Sequence, residues 1–341
     1  LRRIAFGIVC LVFAAGLAAC STNDQGLTSG GNPGIGPNFG TGSIYVTNST
    51  QNAIAIYNPS PTTGATVVNQ IGGSNTQLNG PLYDAFDATK RLYVTNYNVG
   101  TTFGSVSVYA SQATGNVLPQ AQIAGAGTSI GYPRGVAVDA SSNIYVANSS
   151  SGPSSTSSIL EFAAGSSGQT PPSFSITGPL TGLSFPTGIK VDAKGNVYVA
   201  NTGNGTITVY APMSNGNVAP TLTIGGPNTE PPGGMQSPTG LALDAALNIY
   251  VADKATNQIL VFAAGATGNA TPTRIIGGPA TGINNPSDLL VDSTGIIYVT
   301  NSASGNGTGN ILIFAAGASG NAAPAATVAA PGNVVGLALS P

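Results

Sequence analysis

One sixteen-residue phrase recurs along the chain, as PRGVAVDASSNIYVAN from Pro133, PTGIKVDAKGNVYVAN from Pro186, PTGLALDAALNIYVAD from Pro238 and PSDLLVDSTGIIYVTN from Pro286. A weaker copy, PLYDAFDATKRLYVTN, starts at Pro81, and successive copies begin 52, 53, 52 and 48 residues apart. A period of that size belongs to solenoids and propellers. Within each copy, short alternating or β-branched apolar runs are separated by clusters of Gly, Asn, Pro and Asp, a strand-and-turn pattern rather than a helical one. The copy at Pro238 reads as four strands, with A at 240–244, B at 248–252, C at 259–262 and D at 273–277. Four antiparallel strands per unit make a propeller blade.

The two ends of the repeat are complementary halves. The first copy begins directly at strand B, Ser43-Ile44-Tyr45-Val46-Thr47-Asn48, with no strand A before it. At the other end, Val334-Val335-Gly336-Leu337-Ala338-Leu339-Ser340 matches strand A, with Ser340 in the place of the repeat Asp and no strand B after it. A C-terminal strand that completes blade 1 closes a six-bladed ring; a solenoid would need no such halves. The expected fold is therefore an all-β, six-bladed β-propeller over 42–341.

Composition then acquires a reason. Charged residues make up only 6% of the 341 residues, against roughly 25% in an ordinary globular chain. Blades sandwiched between neighbours bury both faces, so their strands need little polar content. The chain has no His, which excludes Ser-His-Asp and Cys-His catalysis and His-ligated zinc. Nine basic residues against eleven acidic ones leave no basic stripe for a nucleic-acid backbone.

Residues 1–19 read as an address. Arg2 and Arg3 precede an apolar or small stretch from Ile4 to Ala19, closed by Leu17-Ala18-Ala19-Cys20. This is the pattern of a bacterial signal peptide, and its end resembles a lipobox, which implies lipidation at Cys20. The expected location is the bacterial cell envelope, with the lipid on Cys20 as membrane anchor. Ser21 after the cysteine favours the outer membrane or cell surface over the inner membrane. Residues 20–41, rich in Gly, Asn, Ser and Pro, read as a flexible tether.

The Tyr-Val-x-Asn signature, with its Tyr at 45, 93, 145, 198 and 298 and with Asp253 replacing Asn in the copy at Tyr250, resembles the six-bladed propellers built from NHL and related Tyr-Val-Thr-Asn repeats. The resemblance spans 42–341. It implies the propeller fold, while the relatives range from lyases to sensor domains and so imply no single function. Where the family carries Asn-His before strand C, this chain reads Asn257-Gln258-Ile259, so histidine-dependent relatives are poor guides to it.

Spacing separates the two ends of the ring. From the strand A Asp to the strand B Tyr is six residues in every full copy, whereas the strand B to strand C connections vary from 5 to 10 residues. The A-to-B and C-to-D turns emerge on one face, and the B-to-C and D-to-A connections on the other. Variable loops on a rigid frame are where binding concentrates. This places the candidate site at the second face and its channel mouth, with long loops at 97–105, 149–158 and 302–310 and an insertion around Glu230–Gln236.

The few charges sort in the same frame. Asp87, Asp139, Asp192, Asp244 and Asp292 share one repeat position before a turn, where a carboxylate accepts turn N–H groups. Charges that break the consensus near the start of strand A, namely Asp84, Arg134, Lys190 and Asp288, are candidate channel-mouth ligand or ion-pair residues, with Asp84–Arg134 the expected pair. Glu230, Asp253 and Lys254 are candidate loop-face residues. No catalytic motif or Cys/His metal spacing is present in the sequence. Two functions follow as expectations: a non-enzymatic envelope scaffold binding a protein, peptide or glycan and needing no cofactor, or a lactonase- or lyase-like enzyme whose channel holds a divalent cation through Asp84 and Asp288.

Overall fold

The computed structural model describes residues 42–341 except 59–62, 99, 102, 150–156, 231, 303–307 and 331. The expected lipidation site Cys20, its signal and tether, and the centres of the loops at 149–158 and 302–310 lie outside the described residues.

The described residues form six four-stranded antiparallel sheets. Blade 1 comprises β1 (Ile44–Asn48), β2 (Ala53–Tyr57) and β3 (Asn69–Gly72), and blade 2 comprises β4 (Pro81–Phe86), β5 (Leu92–Asn96), β6 (Ser105–Tyr109) and β7 (Ala121–Ala124). Blade 3 is β8 (Tyr132–Val138), β9 (Ile144–Ser149), β10 (Ser158–Phe162) and β11 (Phe174–Thr177), and blade 4 is β12 (Pro186–Val191), β13 (Val197–Asn201), β14 (Thr206–Tyr210) and β15 (Leu222–Ile224). Blade 5 is β16 (Pro238–Leu243), β17 (Ile249–Asp253), β18 (Gln258–Phe262) and β19 (Arg274–Gly277). Blade 6 is β20 (Pro286–Val291), β21 (Ile297–Asn301), β22 (Gly309–Phe314) and β23 (Ala326–Ala330). The last strand, β24 (Val334–Leu339), pairs with β1 and completes blade 1. Inner strands β4, β8, β12, β16, β20 and β24 touch one another in sequence around the axis, and β24 meets β4. The ring is closed as the complementary ends require.

Cohesion lies between blades rather than within one central core. Six buried apolar clusters each combine residues of two adjacent blades, such as Tyr45, Ile54 and Ile71 of blade 1 with Leu92, Val94 and Tyr109 of blade 2. The strand C aromatics Tyr57, Tyr109, Phe162, Tyr210, Phe262 and Phe314 are fully buried, each contributing a large apolar area to its interface. Low charge follows directly, since both faces of the sheets are covered.

The repeat Asp is structural. Asp192 Oδ1 accepts the N–H groups of Lys194 and Asn196, while Oδ2 accepts from the Asn196 amide and the Tyr198 hydroxyl. Asp244 repeats all four bonds with Ala246, Asn248 and Tyr250. That ring of acceptors fixes the six-residue spacing from Asp to Tyr. Burial works against the ionised Asp87 carboxyl, but its hydrogen bonds from Thr89, Arg91 and Tyr93 outweigh this and hold it down at about 2.

Close approach of the inner strands explains the glycine after the Pro-Thr pair. A Cβ on Gly188 would stand 2.4 Å from the Thr239 carbonyl oxygen of the next blade, so only glycine permits this contact. Each inner strand also carries a register shift near its start, between Pro186 and Ile189 in blade 4 for example. Such bulges re-aim the side chains near a barrel or ring rim.

Candidate functional site

Two cavities occupy the axis. The larger, about 600 Å³, opens where strand A begins and the B-to-C and D-to-A connections meet. The smaller, about 340 Å³, opens at the far ends of the inner strands beside the invariant A-to-B turns. The variable face therefore carries the larger ligand space.

Hydroxyls dominate the larger mouth, and the fold uses their protons. Ser149 Oγ donates to the Pro186 carbonyl (2.7 Å), Thr202 Oγ1 to the Pro238 carbonyl (2.7 Å) and Ser302 Oγ to the Val334 carbonyl (2.9 Å). Each bond ties the end of one blade's strand B to the next blade's inner strand. Thr187 and Thr239 make the same kind of inter-blade link from strand A, to the Thr239 and Pro286 carbonyls. All five residues line the cavity with their hydroxyl protons committed, so what these oxygens retain is acceptor capacity.

Arg134 and Lys254 are the charged side chains that line this mouth. Arg134 stands at the second position of the β8 repeat phrase, and its Nε is buried without a hydrogen-bond partner. Lys254 follows β17 and is exposed. Partial desolvation, and after it the nearby Arg134 guanidinium, hold Lys254 below its ordinary range. Among the described residues no Asp or Glu lines the cavity, so two like charges face one space.

Phe185 forms part of the rim, 51% exposed and with φ at +46°. The equivalent residue before the strand A proline is Gly80 in blade 2 and Asn285 in blade 6, both also at positive φ. Gly and Asn tolerate that region, whereas a bulky side chain there costs on the order of 1–3 kcal/mol. The ring holds an exposed aromatic at a position suited to glycine.

Asp84, Lys190 and Asp288 do not join Arg134 at the larger mouth. Asp84 and Lys190 line the smaller cavity, and Asp288 is buried between blades. The expected Asp84–Arg134 ion pair is not formed; among the described residues the ion pair present is Arg91–Asp87, at 2.7 Å. The reason is geometric. Arg134 is second in its phrase, Asp84 fourth and Lys190 fifth, and a strand advances about 3.3 Å per residue along the axis.

Asp84 is 2% exposed and neither carboxyl oxygen has a protein partner. Burial, reinforced by Asp288, pushes it well above the usual carboxylate range, with Lys190 opposing. Asp288 accepts from the Leu289 and Leu337 N–H groups, yet burial still raises it to about 6. This set fits a divalent cation poorly. Both Asp288 oxygens are already engaged, Lys190 supplies a competing positive charge, and among the described residues no three His, Cys, Asp or Glu side chains converge as a metal cluster.

Glu230 and Asp253 sit beneath the blade 5 insertion, 2% and 0% exposed. Asp253 accepts from the Gln236, Ser237 and Ala255 N–H groups. Elsewhere this position is Asn, as in Asn201, whose amide also donates to Thr208 Oγ1. The blade 5 counterpart of Thr208 is the apolar Leu260, so an Asp there leaves no acceptor unserved. Glu230 packs against Asp253 and Thr256, and burial together with the Asp253 charge raises its carboxyl.

Tyr83 was not singled out by the charge pattern, although it fills the phrase position held by Gly135, Gly188 and Gly240. It is buried on the floor of the larger cavity. The glycine position was the signal available in the sequence.

Residues 183–210 and 235–262, in blades 4 and 5, match the NHL repeat family, and residues 121–153 match the family described as beta-propeller repeat. No curated protein sequence matches the chain. Among solved structures, a protein of unknown function from Bacteroides caccae superposes with a TM-score of 0.57 at 13% identity, covering 88% of this chain and 99% of that one. A Lactobacillus plantarum protein and the periplasmic gluconolactonase of Pseudomonas aeruginosa both score 0.51, at 14% and 15% identity, each covering 80% of this chain and 78% of its own. At these identities the likeness is one of fold. The chain is thus similar to NHL-repeat six-bladed β-propellers, in architecture around the whole ring and in sequence over two of its blades.

Proposed function

We propose that the chain is a lipid-anchored propeller of the bacterial cell envelope that binds a ligand in the mouth on its loop-rich face and catalyses no reaction. The observation that carries this reading is the cavity of about 600 Å³ at the variable end of a rigid ring. Its volume is in the range of small-molecule sites. Its polar groups are chiefly hydroxyls, five of them tied to carbonyls, with Asn285, Asn333 and two cations, an arrangement made for holding rather than for proton transfer. The buried carboxylates that an enzyme would draw on lie deeper or at the other mouth.

A retention screen of the purified chain against immobilised saccharides and peptides, neutral, cationic and anionic, tests the binding reading. The control is Thr202→Trp, which fills the mouth. Retention by the native chain and its loss in the variant is the expected result. Retention of nothing, or retention that Thr202→Trp leaves untouched, would remove the site from this mouth. Anchoring is tested by fatty-acid labelling in cells: incorporation should disappear with Cys20→Ser, and a labelled Cys20→Ser protein would refute it.

A further inference from the structure

We propose that the loop-face mouth recognises an anionic saccharide, a sugar bearing a carboxylate, and this inference rests on the binding reading above. Two independent features of the lining select this class. Arg134 and Lys254, on blades 3 and 5, face the same cavity, and among the described residues its walls hold no acidic side chain. The buried Arg134 Nε has no protein partner, and leaving a buried charged donor unserved is unfavourable unless a ligand group supplies the acceptor. One carboxylate between the two cations relieves both their mutual repulsion and that orphan donor.

The second feature concerns the rest of the ligand. Because Ser149, Thr202 and Ser302 already donate to Pro186, Pro238 and Val334 carbonyls, their oxygens offer only acceptor sites to a guest. A ligand matched to them must bring several hydroxyl donors. Phe185 adds an exposed aromatic face at the rim, suited to the C–H face of a sugar ring. Anion, hydroxyl donors and a flat apolar face coincide in a uronic acid unit. A bare anion uses only the first feature, and a neutral sugar only the second.

Titration calorimetry with the purified chain uses five probes: glucuronate, tetragalacturonate, glucose, maltotetraose and inorganic phosphate. The acidic saccharides should bind and the neutral pair should not. Lys254→Gln and Arg134→Gln should each weaken binding by about tenfold or more, the scale of one lost charge-assisted hydrogen bond, and salt near 1 M should have a similar effect. Glucuronate binding as tightly as tetragalacturonate identifies a free sugar acid as the source, whereas a clear preference for the tetramer identifies an acidic polysaccharide. Lys254 is exposed, so its variant should keep the native melting temperature even if Arg134→Gln unfolds the ring. Maltotetraose binding equal to the acidic tetramer, phosphate binding equal to glucuronate, or Lys254→Gln without effect would each overturn the inference. Failure of both acidic saccharides would overturn it too, while the Thr202→Trp comparison decides separately whether the mouth binds another class.

Discussion

The Tyr83 hydroxyl donates a hydrogen bond to the Ser287 carbonyl oxygen at 3.0 Å, linking blade 2 to blade 6 past the intervening blade 1. Among the described residues the other inner-strand side-chain bonds, such as Thr187 to the Thr239 carbonyl and Ser287 to the Val335 carbonyl, run between adjacent blades, so this bond braces the ring over the inner strand of blade 1. Burial and the Asp288 carboxylate raise the phenol well above its ordinary range, against the influence of Arg134, and keep the hydroxyl a donor.

Tyr83→Phe should therefore destabilise the ring by about 1–3 kcal/mol, because the Ser287 carbonyl is left buried without its donor. Tyr83→Ala should cost about 3–5 kcal/mol and open the floor of the larger cavity. Urea unfolding measures both, and a Tyr83→Phe curve superimposable on the native one would show that the brace carries no stability.

Acid should weaken the ring through the repeat Asp positions. Asp87, Asp192 and Asp244 are all held below the ordinary carboxylate range, their hydrogen bonds outweighing the opposing effect of burial. A folded value below the unfolded one gives stability that is complete above about pH 4 and lost as pH falls through the folded values, about 2 for Asp87. Melting temperature should drop steeply in that window. Asp192→Asn should flatten the drop at a cost of about 1–3 kcal/mol near neutrality, and an unchanged acid limb would count against the mechanism.

Alkali should act on the blade 5 insertion in the opposite sense. Burial first, and the Asp253 charge with it, raises the Glu230 carboxyl above its unfolded value. Its contribution is thus fully present below the unfolded carboxyl range and is lost as pH rises through the folded value. Glu230→Gln keeps the shape without the charge and should raise the melting temperature above pH 8 by about 2–4 °C. Hydrogen exchange of the 233–236 amides should accelerate with pH beyond its chemical rate in the native chain and not in the variant. Identical profiles would remove Glu230 from the account.

Deletion of 332–341 should cost at least about 5 kcal/mol, since it strips β24 from β1 and exposes Ile44 and Val46. A gentler probe is Ser340. Its Oγ accepts from the Ser43 N–H at 2.9 Å, the bond made elsewhere by Asp Oδ1. Ser340→Asp restores the repeat acceptor opposite Tyr45 and should stabilise by about 0.5–1.5 kcal/mol, and a lower melting temperature would disprove the equivalence.

Much of the fold was legible because it rests on local spacing. The six residues from Asp to Tyr are one hydrogen-bonded turn, and strand A at the C-terminus could be matched to the gap before Ile44 without any coordinates. The candidate site was legible only as a face. Arg134 and Lys254 were both named, but in different groups, and what joins them is the ring that brings blades 3 and 5 to one mouth. Asp84 and Lys190 went to the opposite cavity because two or three positions along an axial strand span the distance between mouths. The hydroxyls of Ser149, Thr202 and Ser302 gave no signal in a chain so rich in Ser and Thr, since their importance lies in carbonyls some 32 to 37 residues away.

The bond between Ser43 and Ser340 joins residues 297 positions apart. Bringing such distant segments together carries a closure entropy on the order of 5 kcal/mol, and until it happens β1 presents a bare strand edge. β1 has its inner-edge partner only once β24 is in place. A copy lacking Val334–Leu339 leaves the β1 edge uncovered, so the strand that closes the ring is also the one that shields its most distant partner.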